Sequence, residues 1–240
     1  MKTVQIIKPV IRYLGYSNLD DHELQIGLKE IHIWKFKLDT YQKISDKYFD
    51  YLTEEEINRI IKFQKIKDKK QFVIAHVFLR ILLGKYLKIP IHQITLFRDT
   101  HGKIMIAANS ENISFNLSHS EDWVVLAFSK YKDLGVDIER IHDIQDFLQI
   151  AEHYFRKEEY EYISKINTES PLCKFYKVWT IKEAFVKATG EGLSRSLKTF
   201  SVGKDSVINV QLGQDTMGIW RYFALEIDKN YAATVVINIS

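Results

Sequence analysis

The chain is poor in the residues that mark several familiar kinds of protein. It has one cysteine, Cys173, in 240 residues, which excludes an intrachain disulfide framework and fits a reducing, cytoplasmic setting. Three prolines and ten glycines leave no room for a low-complexity linker. No run approaches the ~20 apolar residues that a membrane-spanning helix needs, so no membrane partner is expected. The opening MKTVQIIKPVIRYLGYSNLDD meets charge early and has no small-residue cleavage site, so no signal peptide is expected either. Neither GxxxxGK(S/T) nor GxGxxG occurs, which leaves a P-loop and a Rossmann cofactor site without support. The histidines are scattered, with no H-x-x-x-H or C-x-x-C pair, so a zinc site is unsupported too. Net charge is only +3. That is too mild for a nucleic-acid footprint but allows an anionic ligand or an acidic partner.

What is present is an ordinary globular composition with ample aromatics, and the patterning alternates between helix and strand. IHIWKFKL at 31–38 alternates as a half-buried strand. Thr53 followed by Glu54, Glu55 and Glu56 starts a helix through Ile57, Ile60, Ile61 and Phe63. A second helix spans about 68–87, with Phe72, Ala75, Leu79, Ile81 and Leu82 inward. ITLF, KIMIAA, NISFNLS, VVLAFS and LGVDIERI read as strands. Helices return at about 145–153, 156–165 and 170–188, and the chain closes in strands near 198–202, 206–211, 219–226 and 231–238. The order predicts an α+β fold of two halves, residues 1–131 and 132–240, with the boundary near Ser129–Leu134. No direct repeat between the halves is visible by eye.

Three segments carry chemistry. In Gly135-Val136-Asp137-Ile138-Glu139 a strand puts Asp137 and Glu139 on one face, with Val136 and Ile138 on the core. Two carboxylates so placed either bind a cation such as Mg²⁺ or are solvated acids on an exposed strand. In WTIKEAFVK the helical period buries Val178, Ile181, Ala184, Phe185 and Ala188. Glu183 and Lys187 share another face, either as a surface ion pair or as a metal or proton ligand with a phosphate contact. Asn116-Leu117-Ser118-His119-Ser120 is either a phosphate-binding strand end or a polar turn. A serine-hydrolase pair is disfavoured, because adjacent strand residues point apart and no G-x-S-x-G elbow surrounds Ser118.

FNLSHS, GVDIE and WTIKEAFVK, in this order and spacing, resemble the 4′-phosphopantetheinyl transferases of the Sfp type. The strong match covers 115–194, and a weaker one extends back to about residue 50 and forward through the closing strands. The resemblance implies two similar α+β halves in a pseudo-twofold arrangement, with the site in the cleft between them. It implies an enzyme of the holo-[acyl-carrier-protein] synthase type. Such an enzyme moves the phosphopantetheine arm of coenzyme A to a serine of an apo acyl or peptidyl carrier protein and releases adenosine 3′,5′-bisphosphate. It places Mg²⁺ on Asp137, Glu139 and Glu183, with Asp137, Glu183 and Lys187 as the catalytic set. It assigns Ser118, His119, Asp137 and Lys187 to the phosphates, Gly102 and Lys103 (after His101) to the nucleotide, and Arg59 to a basic phosphate contact. Glu56, Gln71, His76 and Ile104 depart from the family pattern. These departures bear on the 3′-phosphate contacts more than on the metal site, and Lys62, Lys69 or Lys70 could compensate.

Carrier domains are acidic around the target serine, so a basic rim is expected, with IIKFQKIKDKK at 60–70 and the lysines of 182–187 as candidates. Two complementary halves in one chain favour a monomer. Two other readings stay open: a Mg²⁺-dependent nucleotide pyrophosphatase, which would use water as nucleophile, and a non-catalytic coenzyme A-binding module.

Overall fold

The computed structural model describes residues 9–19, 24–192, 195–203, 205–210 and 218–240. The first half contains β1 (Val10–Leu14), β2 (Glu30–Lys37), α1 (Glu54–Lys62), α2 (Ile66–Leu87), β3 (Leu96–Arg98), β4 (Ile104–Ile106), β5 (Ser114–Ser120) and β6 (Trp123–Ser129). The second contains β7 (Leu134–Arg140), α3 (Phe147–Tyr154), α4 (Lys157–Ser164), α5 (Pro171–Thr189), β8 (Phe200–Val202), β9 (Val207–Val210), β10 (Trp220–Ala224) and β11 (Tyr231–Asn238). Residue 211 of the expected strand 206–211, residues 193–194 of the 179–194 segment, and residues 1–8 and 20–21 of the opening stretch read for a signal peptide lie outside the described residues. Among the described residues, no helix is long and apolar enough to cross a membrane.

One sheet has the order β1-β2-β6-β5 and the other β7-β11-β10-β9-β8, while β3 and β4 form a separate hairpin. The two main sheets stack face to face. Strand alternation sends Ile31, Ile33, Val125 and Ala127 from one sheet, and Val136, Ile138, Val235 and Ile237 from the other, into a shared apolar layer. On the outer face of the first sheet, Trp34, Phe36, Leu126 and Phe128 pack on α2. On the outer face of the second, Val236 packs on Ile181, Ala184 and Phe185 of α5. The result is four layers: helix, sheet, sheet, helix. Being covered on both sides makes β6 apolar from Trp123 to Phe128, and every one of its residues, the closing Ser129 included, is buried.

The element order repeats. With β1 of the first half and α3 of the second set aside as additions, each half runs strand, short helix, long helix, short hairpin, long hairpin, and β6 and β11 each lie antiparallel to the first strand of that series. The repeat reaches side chains. Glu56, at the third position of α1, closes the cap at Thr53 N–H (2.9 Å) and pairs with Arg80 of α2 at 2.9 Å. Glu159, at the third position of α4, accepts from Arg156 N–H (2.9 Å) and pairs with Lys182 of α5 at 2.9 Å. In both halves a capping glutamate anchors a short helix to a buried cation in the long one.

Strand β1 has no counterpart in the expectations above. VIRYL lies parallel to β2 at the sheet edge and is mostly exposed, so it carries no clean alternation to read.

Candidate active site

β5 and β7 are edge strands of different sheets, and their edges meet. Alternate side chains of β5 bridge the seam. Asn116 Oδ1 accepts from Val136 N–H at 2.9 Å. Ser118 Oγ donates to Asp137 Oδ1 at 2.9 Å. Ser120 Oγ donates to Glu139 Oε2 at 2.9 Å and accepts from Arg140 N–H at 3.0 Å. The segment FNLSHS is therefore a strand rather than a polar turn. Its hydroxyls orient the two acids that the alternation of β7 turns to one face.

That face is covered by α5. A Cβ on Gly135 would lie 2.0 Å from Ala184 O and 2.5 Å from Ala188 N, so only glycine lets the helix come this close. The close approach brings Lys187 onto Asp137: its Nζ donates to Asp137 Oδ1 at 2.6 Å and to Ser118 Oγ at 2.9 Å. Lys187 thus bonds across the seam to Asp137 and Ser118, rather than making a surface pair with Glu183 alone. Asp137 is buried, and its second oxygen, Oδ2, has no hydrogen-bond partner.

The acids share one field. Burial raises the pKa of Glu139, and the charges of Asp137 and Glu183 raise it further. Burial also raises that of Glu183, reinforced by Asp137 and opposed by Lys187. Crowding by protein atoms lowers His119, with the Lys187 charge adding to it, although His119 keeps an exposed edge.

Next to the acids, a cleft of about 290 Å³ is lined by residues of both halves, among them Arg98, His101, Gly102, Lys103, Glu183 and Lys187. The 98–104 turn is built by Asp99, whose Oδ1 accepts from the N–H groups of His101 and Lys103 at 2.9 Å each, and by Gly102 at φ +88°. Lys103 then reaches Ala188 O with its ammonium at 2.9 Å, at the C-terminal turn of α5. Burial lowers the Lys103 pKa, with Asp133 and Asp99 opposing. A larger cavity of about 840 Å³ lies between α5 and the outer strands of the second sheet, lined by Tyr162, Ile181 and Tyr222. It contains none of the acids, so the chemistry assigns the smaller cleft.

Of the residues expected at the site, Asp137, Glu139, Glu183, Lys187, Ser118 and His119 form one constellation beside Gly102 and Lys103. Arg59 stands apart. It is exposed on α1 with its guanidinium 5.1 Å from the Phe72 ring, and it is not among the cleft-lining residues. The departures from the family pattern have their own partners. Glu56 binds His76 Nδ1 (2.7 Å) as well as Arg80, and Gln71 donates to Glu121 O at 2.8 Å. In the 60–70 run, Lys67 is tied to Glu121 and Asp122 at the β5–β6 turn. Sequence reasoning missed Arg98, which sits four residues before Gly102 in an already suspected turn. It also placed Lys182 on the basic rim with the lysines of 182–187, whereas Lys182 is fully buried and paired with Glu159, so it cannot face an acidic partner.

The donor set suits a hard divalent cation. It consists of carboxylate oxygens, one of them buried and unpartnered, and two acids that resist ionising beside a third. Among the described residues, no three carboxylate, imidazole or thiol groups are gathered closely enough to enclose an ion as they stand. The fit of Mg²⁺ to Asp137, Glu139 and Glu183 therefore rests on the shared field and the donor chemistry, not on a preformed cage.

Comparison with known proteins agrees with the resemblance read from the motifs. The 4′-phosphopantetheinyl transferase superfamily model matches residues 133–236, and a 4′-phosphopantetheinyl transferase N-terminal model matches residues 39–131. The chain is 31% identical over 173 residues to the 4′-phosphopantetheinyl transferase ffp of Bacillus subtilis, covering 71% of this chain and 75% of that one. It is 27% identical over 210 residues to the 4′-phosphopantetheinyl transferase HetI of a Nostoc species, 87% of each chain. It is also 27% identical over 196 residues to the 4′-phosphopantetheinyl transferase Sfp of Bacillus subtilis, 81% of this chain and 85% of that one. With both halves matched and relatives aligned across most of its length, the chain belongs to the 4′-phosphopantetheinyl transferase superfamily.

Proposed function

We propose that the chain transfers the 4′-phosphopantetheine arm of coenzyme A to a serine of an apo carrier protein, in a Mg²⁺-dependent reaction that releases adenosine 3′,5′-bisphosphate. The observation that carries this reading is the Asp137–Lys187 pair, with Glu183 beside it, at the edge of a cleft bearing Lys103 and Arg98. The cleft would take the nucleotide, and residues 1–131 and 132–240 are its two halves. The longer alignments, to HetI and Sfp, favour an Sfp-like enzyme within the broader holo-[acyl-carrier-protein] synthase type.

In this reading the serine oxygen forms a bond to the β-phosphorus of coenzyme A, and the bond from that phosphorus to the bridging oxygen breaks. Asp137, Glu139 and Glu183 would hold Mg²⁺, which when bound neutralises charge on the phosphates. Lys187 leaves Asp137 for the pyrophosphate and stabilises the departing bisphosphate. Glu183, which lines the cleft, would receive the serine proton either directly or through a water. His119 and Ser118, at the mouth of the seam, bind phosphate oxygens.

The test is incubation with coenzyme A, Mg²⁺ and a panel of apo carrier domains from peptide, polyketide and fatty acid synthesis, read by intact mass. Addition of one phosphopantetheine to any carrier supports the proposal. Bisphosphate release without a carrier points to a pyrophosphatase, and coenzyme A binding without turnover points to a binding module.

A further inference from the structure

Lys182 lies in the middle of α5, next to Glu183, and has no exposed surface. An ammonium has three donors, and three acceptors meet this one: Glu159 Oε2 at 2.9 Å, Leu197 O at 2.7 Å and Phe200 O at 3.0 Å. The Phe155 and Phe200 rings stand 5.5 and 4.4 Å from it. Glu159, also buried, accepts from Val202 N–H at 2.7 Å and Arg156 N–H at 2.9 Å. One ion pair thus ties together α4, α5 and the start of β8.

Stability alone does not account for the pair. Taking both charges out of water is costly, and apolar residues of similar volume commonly match or exceed a buried ion pair in stability. Burial pushes the Lys182 pKa down to about 8 against the pull of Glu159. The pair does fix a path. The chain leaves α5 at Gly190 and passes Gly192, and both residues line the cleft. Beyond it, Arg195 N–H donates to Gly192 O at 3.3 Å, and the Leu197 and Phe200 carbonyls are held by the Lys182 ammonium. Gly192 packs against the 98–104 turn, where a Cβ would stand 3.4 Å from His101 O.

We propose that Lys182, with Glu159, is a positioning residue that fixes Leu197 and Phe200 and, with the Arg195–Gly192 hydrogen bond, keeps the Gly190–Gly192 wall against the His101–Lys103 turn, setting the width of the nucleotide cleft. The naming of coenzyme A as occupant, and of a carrier protein in the test, rests on the function proposed above.

The experiment compares wild type, Lys182→Met and the double variant Glu159→Gln/Lys182→Met by thermal melting, coenzyme A affinity by calorimetry, and KM for apo carrier protein. The single variant strands Glu159 as a buried charge and loses stability. The double variant removes both charges and recovers most of the wild-type melting temperature. It binds coenzyme A at least 10-fold more weakly, while KM for the carrier stays within twofold. Recovery of both melting temperature and coenzyme A affinity makes the pair merely structural and overturns the proposal. Should the double variant fail to fold, Lys182→Arg, which keeps the charge but not the three-way geometry, decides by the same affinity reading. If wild type itself does not bind coenzyme A, the functional reading fails. The clamp is then read by amide exchange at Gly190–Gly192, which accelerates in the double variant if the inference holds and is unchanged if it does not.

Discussion

The Lys187 ammonium rests 2.6 Å from Asp137 Oδ1 and also binds Ser118, so one lysine from α5 closes a seam between two strands that belong to different sheets. The pair is asymmetric. The Asp137 side chain is 4% exposed and that of Lys187 31%. In Asp137→Asn the amide keeps the shape, and the lysine can turn to water. The cost to folding is accordingly about 1–2 kcal/mol rather than that of a fully stranded charge. Transfer of phosphopantetheine should fall on the order of 10²-fold or more, as when a preorganised electrostatic group is removed. Full activity in this variant, with an unchanged melting curve, would defeat the metal assignment.

Lys187→Met separates the two jobs of the lysine. With the charged donor gone, coenzyme A affinity should drop on the order of 10-fold or more, as for loss of a hydrogen bond to a charged group. Mg²⁺ affinity without coenzyme A, titrated calorimetrically, should hold or rise, because a positive charge has left Asp137. Weaker Mg²⁺ binding would mean that Lys187 supports the cation site instead of competing with it.

Gly135→Ala tests the helix contact that assembles the site. The added methyl must push back the backbone of α5 at Ala184 and Ala188, which a side-chain rotation cannot relieve. We expect a loss of about 1–3 kcal/mol, the usual range for overpacking. Activity should fall more than stability predicts, since Glu183 and Lys187 ride on that helix. A variant with wild-type kcat would show that α5 can shift without disturbing the site.

Much of this was legible in the chain because period and burial agree. The α5 stripe of Val178, Ile181, Ala184, Phe185 and Ala188 is buried as the spacing predicts, and Asp137 and Glu139 share a face as alternation requires. What stayed hidden was long-range pairing. Nothing local tells Ser118 that its partner lies nineteen positions on in another sheet, or that Lys187 reaches Asp137 rather than Glu183. A buried lysine such as Lys182 defeats patterning outright, because the pattern reads lysine as solvent-facing. Arg59 shows the converse: its place in the series matched a phosphate contact, but its helix turns it onto Phe72. The repeated half escaped notice because it is written in element order and in cap-to-helix ion pairs more than in residue identity.

Acid sensitivity should trace to the capping glutamate of the first half. Burial acts to raise the Glu56 pKa, but hydrogen bonds from His76 and Thr53 N–H and the Arg80 charge outweigh it and hold the group at about 2, from an ordinary 4.5. A carboxylate with a lowered folded-state pKa stabilises above its unfolded value and loses that contribution as pH falls through the folded one. The window is therefore from about 4.5 down to about 2, and the amount is on the order of 3 kcal/mol. His76 acts in the same direction at higher pH. Burial lowers its pKa below 6.5 despite Glu56, so acidification below that value forces a proton on the unfolded chain first and costs stability. Urea midpoints measured from pH 7 to pH 3 should fall in wild type. In Glu56→Gln they should start lower, because Arg80 loses its partner, and then decline with a shallower slope. Parallel slopes in the two proteins would show that the acid response comes from other carboxylates, and that the Glu56–Arg80 anchor is not what acid breaks.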